Sequence, residues 1–230
     1  MNTYSYSLAL APVSPDTAAK LETLLAPIAE LLEFAPRQVV CDLQDSGKYV
    51  YFLKSGKTAH YITDGVDEKL LYHLTAGRVF GNLSPADGRT VEVRAIALEK
   101  TAVLRVERAA YLKLLHKQAD FALIMLTMQA DFDQYLTREI DNLSFNSCKT
   151  RLMRIYCSQV DTGKIEDGKW YGLASKLTHN ELAAIVGRAR VTISKLINEL
   201  CDDGFIRIIN RRAQVNMAAY EKFLADHAED

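Results

Sequence analysis

The residues best suited to chemistry cluster between Thr178 and Lys195. Arg188, Arg190 and Lys195 bring three cations and no acid into the window 187–197. An arginine can take guanine O6 and N7 together or grip a phosphate, and a lysine reaches a purine acceptor or a phosphate. Val191 offers only methyl surface, which suits the C5-methyl of thymine, while Thr192 and Ser194 offer hydroxyls to the backbone or to an adjacent base. Arg211 and Arg212 follow shortly after and are suited to holding phosphate. This is binding chemistry rather than bond-breaking chemistry. No nucleophile–base pair, paired carboxylates or phosphate loop occurs in a supporting context, so the chain does not read as an enzyme. Cys41, Cys148, Cys157 and Cys201 are scattered, with no C-x-x-C pair and no histidine at ligand spacing. Neither a metal centre nor a disulfide framework is expected from them.

The flanking pattern says how such side chains would be held. Thr178 and Glu181 have the spacing of a capping box at a helix start. Leu182, Ile185 and Val186 supply a core face, Gly187 permits a sharp turn, and a second helix begins near Ala189. Its apolar residues Ile193, Leu196, Ile197 and Leu200 point inward, which leaves Arg190, Val191, Ser194 and Lys195 on the opposite side. Asp203-Gly204 ends that helix. Phe205 to Asn210 and Ala213 to Met217 read as strands, with Arg211-Arg212 at their turn. The pattern is that of a winged helix-turn-helix, whose second helix enters a DNA major groove. Thr178, Arg188, Arg190, Val191, Thr192, Ser194, Lys195, Arg211 and Arg212 are the expected DNA contacts. The bland alternative is a three-helix packing unit with a solvated basic face; the capping box, the basic second helix and the following wing together favour DNA.

The rest of the chain has two further characters. The start, roughly Thr17 to Leu32, reads as helical. From Arg37 to Val106 short strands alternate with turns: Tyr49 to Leu53, Ala59 to Thr63, Lys69 to Leu74, Val91 to Ala97 and Ala102 to Val106. Short strands with glycine at the turns indicate a sandwich or barrel. From Arg108 to about Phe145 glycine and proline vanish and the apolar period becomes helical. Met125, Met128, Phe132 and Tyr135 form one stripe; Leu126, Leu136, Ile140 and Leu143 form another. Two stripes on one long helix imply two burial partners, its own barrel and a second copy of itself. Ser144 to Cys148 reads as a hinge, Ser147 as the cap of a helix from Lys149 to Gln159, and Asp161 to Lys169 as a polar loop.

The bulk numbers fit this organisation. The chain has 230 residues, a net charge of −1, 49% hydrophobic and 25% charged residues. These values are ordinary for a globular protein, so the basic surface must be local. No apolar run approaches membrane-spanning length and the first ten residues lack signal-peptide character, so a cytoplasmic location and no membrane association are expected.

The run T-H-N-E-L-A-A-I-V-G-R-A-R-V-T-I-S-K-L-I, Thr178 to Ile197, resembles the T-R-Q-E-I-G-x-I-V-G-x-S-R-E-T-V-x-R of the CRP/FNR family of transcription regulators. Asn142-Leu143-Ser144-Phe145, Tyr51 to Gly56 and Gly77-Arg78-Val79-Phe80-Gly81 extend the resemblance over nearly the whole chain. It implies an α+β fold: an N-terminal β-roll of the cyclic-nucleotide-binding jelly-roll type over 1–107, a long dimerisation helix and hinge over 108–146, and a winged helix-turn-helix over 147–230. It also implies a homodimer on palindromic double-stranded DNA, controlled by a small-molecule effector, with RNA polymerase as a further candidate partner. By the same resemblance an effector would lie between barrel and long helix, near Tyr72, Asn82, Arg89, Thr90, Tyr135, Leu136, Thr137 and Arg138.

Departures from the family pattern narrow the effector. The cyclic-nucleotide signature F-G-E-L and R-S-A stands here as Phe80-Gly81-Asn82-Leu83 and Arg89-Thr90-Val91, so the ribose-binding carboxylate is missing. The neighbouring Thr-Ser that grips adenine stands as Leu136-Thr137. Cyclic AMP is therefore not the expected ligand. Cys41 is the one barrel cysteine, too few for the iron–sulfur cluster of the oxygen-sensing branch. The haem branch carries Cys and His where this chain has Gly81 and Leu83, which disfavours haem; His60, His73 and His116 are each more simply surface or core. Val191 replaces the family's cytosine-reading Glu, and V-T-I-S-K resembles the V-T-V-S-R of the CprK-like branch. An A/T-rich site follows from that resemblance. A rival class is a cyclic-nucleotide-type signalling module whose winged helix docks on protein.

Overall fold

The computed structural model describes residues 10–42, 47–63, 65, 68–81, 83 and 93–227. These divide into two compact units between Ile140 and Asp141.

In the first unit, Ser14 caps α1 (Pro15–Leu25) by accepting from the Thr17 N–H at 3.2 Å. The helix stops at Leu25, short of the Leu32 expected from composition, and Ala29–Phe34 becomes strand β1. Pro27 has no amide hydrogen with which to continue the helical ladder. The remaining strands are β2 (Val39–Cys41), β3 (Tyr49–Ser55), β4 (Lys57–Thr63), β5 (Glu68–Thr75), β6 (Val79–Gly81), β7 (Arg94–Ala97) and β8 (Thr101–Glu107). They form two antiparallel four-stranded sheets, ordered β1-β8-β3-β6 and β2-β7-β4-β5. This is the expected jelly-roll arrangement.

Strand β3 shows why the sheets stack as they do. Its central residues Val50 to Leu53 are all buried. Side chains alternate faces along a strand, so Tyr51 and Leu53 join the interior with Leu74, Phe80, Ala97 and Val103, while Val50 and Phe52 join Leu21, Leu25, Leu104, Tyr111 and Phe121. A strand buried on both faces reads as a continuous apolar run. Gly56 turns the chain from β3 into β4 at φ 86°, and a Cβ there would come within 2.5 Å of Thr101 Oγ1, so only glycine fits.

The helical segment after the barrel is two helices, not one: α2 (Arg108–Lys117) and α3 (Ala119–Phe145), parted at Gln118, which is extended at φ −121°, ψ 97°. The break lets Tyr111 and Phe121 pack edge to face at 5.8 Å, both fully buried. An unbroken helix would carry the two along one rigid axis. On α3, Met125, Met128 and Tyr135 are buried against the barrel, with Phe132 packed beside them. The other stripe needs one correction, since Leu136 packs on the barrel core whereas Leu126 and Ile140 are 66% and 63% exposed.

The second unit holds α4 (Cys148–Ser158), capped by Ser147 as expected, then β9 (Val160–Glu166), β10 (Trp170–Leu173), α5 (His179–Val186), α6 (Arg190–Asp202), β11 (Ile206–Ile209), β12 (Arg212–Asn216) and α7 (Met217–Asp226). The segment read as a polar loop is thus a strand, β9, turning at Asp167-Gly168 into β10. The wing is the edge of an antiparallel sheet ordered β11-β12-β10-β9. Its exposed polar face hid β9 from a hydrophobic-pattern reading. The wing turn is Asn210-Arg211, with φ of 50° and 62°. Two residues at positive φ make a tight hairpin turn, and Arg212 consequently pairs with Ile209 in the strand instead of lying in the turn.

Candidate nucleic-acid interface

The turn between α5 and α6 sets the geometry of the site. Thr178 Oγ1 accepts from the Glu181 N–H at 3.2 Å while Glu181 Oε2 accepts from the Thr178 N–H at 2.7 Å, the capping box that the spacing implied. Leu182, Ile185 and Val186 are buried, and Gly187 ends the helix at φ 68°. A left-handed residue at this point costs an L side chain about 1–2 kcal/mol, which glycine avoids. Arg151, buried on α4, donates to the Val186 carbonyl at 2.9 Å and so ties down the end of α5.

Helix α6 is seated by Ile193, Ile197 and Leu200, all essentially without solvent contact. Its other face carries Arg190, Val191, Thr192 and Lys195, all exposed, with Ser194 half-buried. Val191 is 67% exposed, which leaves its methyl groups at the surface of the helix. Arg188 is exposed just before the helix. Arg211 and Arg212 are exposed on the wing. Among the described residues, none of Arg190, Lys195, Arg211 and Arg212 is in an ion pair, so their charge stays unneutralised. Arg207, by contrast, is held by Asp167 and Gln214, both at 2.6 Å, and stacks over Trp170 at 4.7 Å. It braces the sheet.

Several residues of this site escaped sequence reasoning. The Nδ1 of His179, first residue of α5, lies 2.9 Å from Ser194 Oγ on α6. Arg151 also donates to Cys148 Sγ at 3.2 Å. Burial alone would raise the Cys148 thiol, but hydrogen bonds and charge from Arg151 and Arg188 outweigh it and hold the thiol below its ordinary range. The signal for Arg151 was present, an arginine on the apolar face of α4, but a charge among apolar neighbours is easily read as a solvated one.

The residues expected at an effector site fall into three groups. Asn82, Arg89 and Thr90 lie outside the described residues. Tyr72 and Tyr135 are buried together: Tyr72 stacks on His60 at 4.7 Å and meets Phe132 and Tyr135 edge on at 5.1 and 6.1 Å. The Tyr135 hydroxyl donates to the Leu71 carbonyl at 2.5 Å. Leu136 packs on the same core. Thr137 and Arg138 are exposed and bond within α3, to the carbonyls of Asp133 and Gln134 at 2.9 and 3.4 Å. Burial drives His60 down to about 3, with His73 adding to the effect, so the ring is neutral and shares a hydrogen bond with Thr58 Oγ1 at 3.0 Å. His73 is likewise held to about 4 by burial and by Lys57.

Residues 31–118 match the cyclic nucleotide-binding domain family, and residues 150–221 match the Crp-like helix-turn-helix domain family. The chain is 28% identical over 176 residues to the cyclic AMP receptor protein of Thermus thermophilus, across 76% of this chain and 78% of that protein. Its fold is similar to that of a CooA mutant from Carboxydothermus hydrogenoformans, with a TM-score of 0.66 and 19% identity over 94% of this chain and 98% of that one. It is also similar to a CprK variant complexed with OCPA, with a TM-score of 0.62 and 18% identity over 88% and 92% of the two chains. At such identities the likeness is one of fold. No helix among the described residues is long and apolar enough to cross a membrane.

Proposed function

Since the chain joins a cyclic nucleotide-binding domain to a Crp-like helix-turn-helix and is a DNA-binding transcription regulator homologous to the CRP/FNR family, we propose that it reads a palindromic site as a homodimer under the control of a small-molecule effector other than cyclic AMP. Its relatives are transcription regulators, not enzymes. The observation that carries the proposal is the exposed face of α6, where cations, hydroxyls and one solvent-facing valine project from a helix braced at its turn.

Arg190 and Lys195 are the candidates for purine contacts, Val191 for a thymine methyl, and Thr192 and Ser194 for the backbone or a neighbouring base. Thr178, Arg188, Arg211 and Arg212 position the helix on phosphates. The methyl preference of Val191 favours an A/T-rich half-site, and a selected site with a fixed G·C pair at that step would contradict it. RNA polymerase is a further candidate partner, and the cytoplasm the expected compartment.

Dimerisation is proposed through the free stripe of α3. Leu123, Leu126, Ala130, Asp133, Thr137 and Ile140 are all exposed and alternate in steps of three and four, the period at which one helix seats against another in a two-stranded coil. The barrel-facing stripe is already covered, which leaves this one for a second copy. Residues 1–107 would then sense the effector, 108–146 join the protomers, and 147–230 bind DNA.

The effector is placed near the aromatic cluster around Tyr72 and Tyr135, with Asn82, Arg89 and Thr90 as further candidates. Asn82 lacks the carboxylate that a ribose hydroxyl would need, and that argues against a cyclic nucleotide. An effector that binds one dimer geometry better than another shifts the population toward it. The test is fluorescence anisotropy on labelled duplex at rising salt. Affinity should fall steeply, by about 0.9 in log Kd per tenfold salt for each phosphate neutralised. Salt-insensitive or absent duplex binding, beside retained protein binding, would support the protein-docking alternative.

A further inference from the structure

Of the α6 side chains proposed to meet DNA (Arg190, Val191, Thr192, Ser194 and Lys195), Ser194 is the one with a side-chain hydrogen bond to another element among the described residues. Its hydroxyl lies 2.9 Å from His179 Nδ1, and both residues are half-buried. Both ends of the contact are fixed by rigid structure. The Thr178–Glu181 capping box sets where α5 begins, and with it the backbone of His179. Arg151 pins the far end of α5 through the Val186 carbonyl. On α6, Ile193 and Ile197 are buried on either side of Ser194 in sequence and fix the helix's rotation.

We propose that His179 is a positioning residue for sequence discrimination: it fixes the Ser194 hydroxyl, so that Ser194 becomes selective for one base pair. The inference rests on α6 reading DNA. A free serine hydroxyl has one donor and two acceptor positions and rotates among three staggered rotamers. Such a group can satisfy almost any base edge and therefore discriminates little. The imidazole takes one of the three positions and holds one rotamer, which leaves a hydroxyl of defined direction with reduced capacity. A base edge that does not match then leaves a polar group unpaired, and that is where discrimination arises. The ring's other nitrogen, Nε2, takes no part in the bond to Ser194. His179 begins α5, and the first helix of such a motif crosses the DNA backbone, so the same imidazole is placed to couple backbone engagement to base reading.

The test is a competition series on the selected duplex and on duplexes altered at one base pair at a time, with wild type, His179→Ala, Ser194→Ala, the double variant and His179→Asn. Wild type should discriminate at the pair facing Ser194 by about two- to tenfold, the range that one net hydrogen bond allows. His179→Ala should lose that preference at this pair alone, keep preferences elsewhere, and leave the salt slope shallower by no more than about one unit per protomer. Ser194→Ala should behave alike, and the double variant should be no worse than either single one. His179→Asn, whose amide can reach the same hydroxyl, should restore the preference in part. Circular dichroism melts of each variant separate this from unfolding. Additive single effects, or an unchanged preference in a folded His179→Ala protein, would overturn the inference and leave the DNA reading standing. A wild-type protein that discriminates at no position would overturn the DNA reading itself.

Discussion

Replacing Leu126 by Glu should separate the protomers without unfolding either. Leu126 is 66% exposed on α3, so about two-thirds of its burial remains to be gained in a dimer. Full burial of a leucine side chain contributes about 1.5–3 kcal/mol, which puts the remaining share at roughly 1–2 kcal/mol per copy and, on the same basis, about 2–4 kcal/mol per symmetric pair. At 1.4 kcal/mol per tenfold, the dimer Kd should rise by about 30- to 1,000-fold, before counting repulsion between two facing carboxylates. Sedimentation velocity across nanomolar to micromolar protein would read the shift directly. Leu136→Ala supplies the contrast: Leu136 packs on the barrel core, so it should lower thermal stability and leave association intact. A Leu126→Glu protein that dimerises like wild type would refute the assignment of the free stripe as the seam.

Other outcomes follow from the same geometry. Thr178→Ala removes one side of the capping box and should cost about 1 kcal/mol in denaturant titration. Gly187→Val forces a β-branched residue to φ 68°, and should destabilise the second unit by about 1–2 kcal/mol or more while weakening DNA binding. Removing Arg211 and Arg212 together takes four guanidiniums from a dimer, and should flatten the salt slope by about 3 to 4 if all reach phosphate, with sequence preference unchanged. His60 titrates near 6.5 in the unfolded chain but is held to about 3 by burial. Between those values the unfolded state binds more protons, so stability falls as pH drops below about 6.5 and goes on falling to about 3. The loss at pH 5 is about 2 kcal/mol. His73, held to about 4, contributes a similar loss over the same range, so His60→Gln should remove about half of the fall in stability between pH 7 and 5, and an equally steep fall in that variant would count against the buried neutral ring.

Those parts of the fold governed by short-range rules were legible in the sequence. The capping box at Thr178, the cap at Ser147 and the turn at Gly187 are local, and the structure bears each out. The barrel strands were legible wherever an apolar run was broken by a turn, as in Tyr49 to Leu53. What failed did so for identifiable reasons. Strand β1 was read as helix because Ala29 to Leu32 has helical composition; Pro27 and pairing with β8 decide otherwise. Strand β9 was missed because most of its side chains face solvent. The long helix was read as continuous because nothing in Lys117-Gln118-Ala119 marks a break; packing of Tyr111 against Phe121 imposes it. At the site, the residue types on α6 were plain, but their supports were not. The His179–Ser194 and Arg151–Val186 contacts join residues far apart in sequence, and no spacing rule announces such pairs. Around the aromatic cluster, Tyr72 and Tyr135 were legible as residues of one neighbourhood, although which face of the helix each side chain takes depended on the barrel it packs against.

The exposed face of α6 is expected to enter a major groove once per protomer of a symmetric pair. Selection of bound duplexes from a random pool, followed by sequencing, tests it most directly. The expected result is a palindrome whose half-site centres lie one helical turn apart, about 34–36 Å, with binding lost on Arg190→Ala or Lys195→Ala. Enrichment of a single unpaired half-site, or of no sequence at all from a dimeric protein, would contradict it.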